Sequence, residues 1–276
     1  MKRVLAGIVL ALSSTSVFAA DTVQPIVEEP VAAGPRVSGH VEAYLGGLWI
    51  DTEGGNENGW VAGGAARLNY PIDARWNIQG DVFADGVWFD EGDINSYGAA
   101  LHGYWRDPSS FALGAFATIN GYGGDSGPED IYSFTVGPEG QVYFDNLTLY
   151  AQAYYGQLRQ SGFSEHLDIW GVRGVARYFA QPNLRFDAEL GYRSVDISDG
   201  ADTVSAALQG NYRFDGTPWT VFGRYQFDHL SGVSSESVNI HKLVLGIRAT
   251  FGADTLLDED RNGATMDTAR STYLFF

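Results

Sequence analysis

The 276-residue chain has no cysteine. That excludes a small scaffold stapled by disulfides and any thiolate metal site. Basic residues are scarce: 17 Lys and Arg stand against 34 Asp and Glu, for a net charge of −17. Phosphate backbones need a basic surface, so nucleic acid is excluded as a partner. There are only five histidines. His40 and Glu42 share one strand face, but no serine nucleophile is marked beside them, and His166, His229 and His241 fall in or near loops. No catalytic constellation, metal site or cofactor is therefore expected. Long apolar runs are also missing after the first 20 residues, where charges or glycines interrupt every stretch. A spanning helix needs about 20 apolar residues. Any membrane crossing must then be made by a closed sheet, because hydrocarbon offers no partner to an unpaired backbone group.

The N-terminus has the grammar of an export signal. Lys2 and Arg3 precede the apolar stretch Val4 to Leu12, and Val17-Phe18-Ala19 ends a small-residue segment. Residues 1–19 are expected to be a signal peptide cleaved after Ala19. The apolar run is too short for a membrane anchor. Removing residues 1–19, which carry two bases and no acid, takes the net charge from −17 to −19. Residues 20–36, with Pro25, Pro30 and Pro35, read as an extended periplasmic linker.

What is present in abundance is alternation. In 76–88, Trp76, Ile78, Gly80, Val82, Ala84, Gly86 and Trp88 share one face, and Asn77, Gln79, Asp81 and Asp85 lie on the other. Period two makes this a strand. An aromatic at each end of the apolar face, with small residues between, suits two lipid–water boundaries better than a soluble sandwich. The pattern recurs from Val41–Trp49 and Trp60–Tyr70 to Trp219–Phe227 and Leu243–Phe251. Twelve such faces predict an all-β, transmembrane, antiparallel up-and-down barrel over 37–251. Short turns such as 71–74, 107–110, 145–146, 181–183 and 215–218 alternate with longer acidic, Gly/Ser-rich links at 51–58, 90–95, 121–131, 159–167, 194–202 and 229–238. Short periplasmic turns and longer external loops are expected of such barrels, with both termini in the periplasm.

On these features the chain resembles the porin-like outer-membrane β-barrels of Gram-negative bacteria. Val244-Leu245-Gly246-Ile247-Arg248-Ala249-Thr250-Phe251 is similar to the terminal insertion signal of that family, with Ala249 weaker than the usual aromatic. The departure is that 25 residues follow Phe251; Thr272-Tyr273-Leu274-Phe275-Phe276 is a second, glycine-less candidate. The resemblance implies insertion by the barrel-assembly machinery, a surround of outer-membrane lipid and lipopolysaccharide, and passage of small polar solutes or ions. It leaves homo-oligomerisation open.

Function must come from the inward side chains. The opposite parity gives a candidate pore lining of Glu42, Asp81, Asp85 and Glu139 on early strands, and Arg173, Arg177, Arg185, Arg193, Arg213, Arg224 and Arg248 on later ones. Arg67, His102 and Lys242 share that parity. One reading is a channel with a transverse field, acids facing arginines across water. The other is a salt-bridge lattice filling a narrow barrel. In it, Arg173 pairs with Glu189 and Arg177 with Asp187 across neighbouring strands, and the function is structural or adhesive. Residues 252–276 read as a flexible acidic periplasmic tail, although Asp258-Glu259-Asp260-Arg261-Asn262-Gly263 resembles the start of a calcium loop.

Overall fold

The computed structural model describes residues 36–124, 131–160, 166–196, 200–233 and 236–270. The expected signal peptide, all but the last residue of the expected linker, and the second candidate signal at 272–276 lie outside these residues.

Twelve strands form one closed antiparallel barrel in which every strand pairs with its chain neighbours and β1 pairs with β12. They are β1 (Ser38–Thr52), β2 (Gly55–Pro71), β3 (Trp76–Phe89), β4 (Gly92–Asp107), β5 (Phe111–Gly123), β6 (Ile131–Phe144), β7 (Leu147–Gln160), β8 (His166–Gln181), β9 (Leu184–Val195), β10 (Ala201–Arg213), β11 (Trp219–Val233) and β12 (Glu236–Phe251). Closure pairs each strand on both sides and removes the sheet edges that lipid cannot tolerate. Gly39 opposite Phe251 and Asp51 opposite Asn239 bracket the closing seam.

The expected outward faces carry the exposed apolar side chains, including Trp60, Leu45 and Leu245 at 72%, 64% and 68% exposure. Exposure of that size on so many large apolar residues suits a surface solvated by lipid rather than water. The aromatic ends fall into register on neighbouring strands: Trp60 opposite Trp88, and Trp76 opposite Trp105. Pro138 lies within β6, where the ladder to β7 has no pairs at 137 and 138; proline has no N–H to give there.

Three expected loops are much shorter than their composition suggests. β1 and β2 are separated only by residues 53–54, β3 and β4 by 90–91, and β11 and β12 by 234–235. Pairing continues beyond the nine to eleven residues a tilted strand needs to cross the bilayer, because the paired ladder still satisfies backbone groups outside it. Gly55 and Gly92 turn two of these hairpins at φ 153° and 157°. The other end of the barrel, here the turn end, holds connections 72–75, 108–110, 145–146, 182–183 and 214–218 together with Arg36 and Gly252.

The expectation of a flexible tail after Phe251 is corrected. At Gly252 the backbone takes φ 74°, and a Cβ there would lie 2.3 Å from the Val37 carbonyl oxygen. Glycine alone turns the chain there without strain, back into the barrel. A short helix, α1 (Leu256–Asn262), follows, and 263–270 continue among the inward side chains.

Candidate functional site: the charged lumen and its C-terminal plug

Local rules explain α1. Thr255 caps it, its hydroxyl accepting the Asp258 N–H at 3.0 Å, with Asp258 and Glu259 in the first turn and Arg261 in the last. That charge order suits the helix dipole. Gly263 ends the helix, its N–H donating to the Glu259 carbonyl; a Cβ would come within 2.8 Å of that oxygen. The helix is anchored at the turn end. The Leu257 N–H donates to the Pro182 carbonyl at 3.0 Å. Arg261 donates to the Asp145 carbonyl at 2.9 Å and lies over the Tyr143 ring at 4.4 Å.

The inner face of α1 is acidic and meets bases. Glu259 receives Arg213, and His40 Nδ1 lies 2.9 Å from its other oxygen. Asp260 receives Arg177 at 2.8 Å and the Thr148 hydroxyl at 2.5 Å. Arg106 donates to the carbonyls of Asn262 and Gly263, at 2.7 and 2.6 Å. These are orphan carbonyls at a helix C-terminus, where a guanidinium is favoured.

Beyond Gly263, residues 264–270 have no regular secondary structure. The Gln79 side-chain amide donates to the Met266 carbonyl at 2.7 Å and accepts its N–H at 3.2 Å, mimicking a neighbouring strand. Met266 is fully buried among Tyr104, Tyr143, Tyr150 and Val175. Asp267 spans the lumen, taking Arg67 of β2 at 2.9 Å and Arg173 of β8 at 2.7 Å. The Thr268 hydroxyl donates to Asp81 at 2.9 Å and lies 3.1 Å from His102 Nε2, whose Nδ1 is 2.8 Å from Glu139. Arg270 donates to Glu42 at 2.7 Å. The Thr268–His102–Glu139 chain has the order of a hydrolytic triad. Yet all three are buried, and the hydroxyl proton goes to Asp81, so the arrangement ties plug to wall.

The eleven candidate lining residues all lie on the inward parity, and most of them are held by ion pairs or hydrogen bonds. Arg173 pairs with Glu189 through two hydrogen bonds of 2.7 and 2.9 Å, and Arg224 joins the same carboxylate at 2.9 Å. Arg248 pairs with Glu42 at 2.7 Å. Arg193 lies 3.3 Å from the Thr203 hydroxyl. The expected Arg177–Asp187 pair is corrected: the two are register partners, but Asp187 is taken by Arg185 and Arg177 turns to Asp260 of the plug. Of the acids expected to face the arginine wall, Asp85 lines a cavity with Arg224 and Arg248, and Asp81 is not among its lining residues. Asp81 is neutralised by Arg67 on the adjacent strand at 3.0 Å, Asp85 receives the Tyr44 hydroxyl, and plug residues Asp267 and Arg270 line the same cavity. The calcium-loop likeness of 258–263 also fails. The segment is helical, and its acids point to Arg36, Arg213 and Arg177 rather than to a common centre.

Two polar cavities lie in the lumen: one of about 130 Å³ beside Tyr44, Asp85, Arg224, Lys242 and Arg248, and another of about 100 Å³ beside Asn120, Tyr154 and Arg193. Each has room for several waters. Toward the far end of the lumen an arc of the wall is apolar, with Leu48, Ile50, Val61, Val87, Leu230 and Ile240 packed together.

No family model and no curated protein matches this sequence. Solved structures do. An outer-membrane channel from Pseudomonas putida F1 aligns with TM-score 0.56 at 15% identity, over 83% of this chain and all of that one. The translocator domain of the autotransporter NalP from Neisseria meningitidis aligns with TM-score 0.53 at 11% identity, over 80% of this chain and 90% of that one.

The fold is that of a Gram-negative outer-membrane β-barrel.

In this barrel the inward alternation carries the polar lumen that the sequence predicts, and the C-terminal segment enters it. The plug had a readable signal: Thr255-Leu256-Leu257-Asp258 is a helix start of the capping type, and Gly263 a stop. Nothing in the pattern says that such a helix lies inside the barrel.

Proposed function

We propose that this protein is an outer-membrane channel for small hydrophilic solutes or ions, held closed at rest by its own C-terminal segment. The carrying observation is the chemistry of the plug–wall contact. Apart from Leu256, Ala264 and Met266, and the ring contacts of Arg261 with Tyr143 and Arg270 with Phe83, the segment is held by ion pairs and hydrogen bonds to groups that water can also satisfy. A wall of arginines, carboxylates, amides and hydroxyls needs either water or a polar plug, and can exchange one for the other. Release is a shift between two states, set by the difference in their free energies. Export through a cleaved signal peptide and insertion by the barrel-assembly machinery belong to the same reading.

The test is conductance of the refolded full-length protein in a planar bilayer, beside Asp267→Lys. The lysine would sit between Arg67 and Arg173 and expel the segment by like-charge repulsion. Brief openings in the parent and long ones in the variant are expected. If both are silent, with heat-modifiable gel mobility showing a folded barrel, the channel reading is wrong. The protein would then be a plugged structural or adhesive barrel, the reading favoured by the apolar arc at the far end.

A further inference from the structure

The wall does not need the plug equally everywhere. Arg67 also has Asp81, Arg173 and Arg224 have Glu189, Arg185 has Asp187 and Arg248 has Glu42. Arg177 and Arg213 differ. Among the described residues, their only ion-pair partners are Asp260 and Glu259 of the plug. Arg106 likewise meets plug carbonyls, with the Asn77 side chain and the Tyr104 ring as wall contacts. All three lie near the turn end, on β4, β8 and β10. Deeper in, Asp267 supplies a third plug carboxylate, to Arg67 and Arg173.

We infer that the surface uncovered by plug release is a binding site for small organic anions carrying two or more carboxylates, built from Arg106, Arg177 and Arg213 with Arg173 behind them. The inference rests on the segment being a releasable plug. Its carboxylates stand in for those of the ligand: Asp260 and Glu259 each take one N–H of Arg177 and Arg213, and Asp267 takes one each from Arg67 and Arg173, and guanidinium groups suit planar oxyanions. Once the plug leaves, Arg106 and Arg213 have no ion-pair partner on the wall among the described residues, and Arg177 has only its register partner Asp187, which Arg185 already holds, so an anion from solution takes the place. Such an anion binds only the released state and shifts the equilibrium toward it. The solute would thereby open its own path, and the open lumen would prefer anions.

The chain has no cysteine, so a single Ala264→Cys gives one thiol, at a plug position 2% exposed. Its labelling by a neutral hydrophilic maleimide reports release in the refolded full-length protein. Citrate is compared with sodium chloride and with spermidine chloride at equal ionic strength. Labelling is expected to rise as 1 + [citrate]/Kd, about tenfold at ten times Kd, with little change in either chloride salt. Adding Arg177→Gln and Arg213→Gln should raise the baseline, since two anchors are lost, and reduce the citrate increment to less than about twofold. Equal acceleration by citrate and sodium chloride would reduce the effect to screening and overturn the site, as would stronger acceleration by spermidine. That comparison needs no arginine variant, so it holds even if the double variant does not fold. The two proposals fail separately. A silent bilayer with a citrate effect refutes the channel and keeps the site; a conducting, cation-selective barrel with no citrate effect does the reverse.

Discussion

Asp260→Asn removes one charge from the plug and keeps its shape. Asp260 is 1% exposed and Arg177 4%, and the two are 2.8 Å apart. With the plug seated, the substitution leaves the guanidinium to neutral acceptors alone: Gln141 at 3.3 Å, and the Thr265 carbonyl and hydroxyl, both at 3.1 Å. Breaking a buried pair by removing one partner costs about 3–5 kcal/mol. The asparagine oxygen still accepts a hydrogen bond, which lowers the cost to about 2–3 kcal/mol. With the plug released, Arg177 faces lumen water and the cost disappears. The seated-to-released equilibrium should therefore shift roughly 30- to 150-fold, at about 1.4 kcal/mol per tenfold. Maleimide labelling of the Ala264→Cys protein reads this directly, because the rate follows the open population when reclosing is fast. Asp254→Asn is the control: its side chain is 85% exposed and 3.5 Å from Arg36, and it should leave the rate unchanged. A change under about threefold in Asp260→Asn, with native gel mobility, would refute the argument that buried charge seats the plug.

Other consequences follow from single contacts. Arg173→Ala should destabilise more than Arg224→Ala, by about 2 kcal/mol or more in a urea unfolding midpoint. Arg173 holds both Glu189 and Asp267, whereas loss of Arg224 leaves Glu189 with Arg173; equal effects would contradict the pairing. Gly252→Val puts a β-branched residue at φ 74° against the Val37 carbonyl and should cost about 2 kcal/mol or more. It would be read as a lower temperature for loss of the heat-modifiable band and faster plug labelling. In the exposed 72–75 turn, the N–H groups of Trp76 and Arg75 donate to Asp73 and hold its carboxyl below the ordinary aspartate range. A lowered folded value stabilises the turn above the unfolded pKa, near 3.9. That contribution is lost as the pH falls through the folded value. Amide shifts of Arg75 and Trp76 should thus stay constant from neutral pH to about 5 and move only in stronger acid; a transition near neutrality would exclude this cause.

The twelve strands, their lipid faces and their aromatic ends were legible because period two is a local property: each residue's side follows from its parity alone. The hydrophobic outside and polar inside were equally local, since lipid on one face and water or polar side chains on the other sort residues one at a time. Loop lengths were less so. Acidic, glycine-rich stretches read as loops, yet backbone pairing extends to Thr52 opposite Gly55 and Phe89 opposite Gly92 because neighbouring strands are already in register there.

Pairing among the charges was only partly local. Arg173 and Glu189 meet because adjacent strands place them at one depth. Arg177 and Asp187 share a register position too, yet each finds another partner. The difference is the plug. Composition from Leu257 to Asp267 announces an acidic segment, and its capping residues announce a short helix, but neither states where the helix goes. That was decided by a closed lumen with surplus arginine on its wall, by Gly252 turning the chain inward, and by acids that could neutralise that surplus only from inside the barrel.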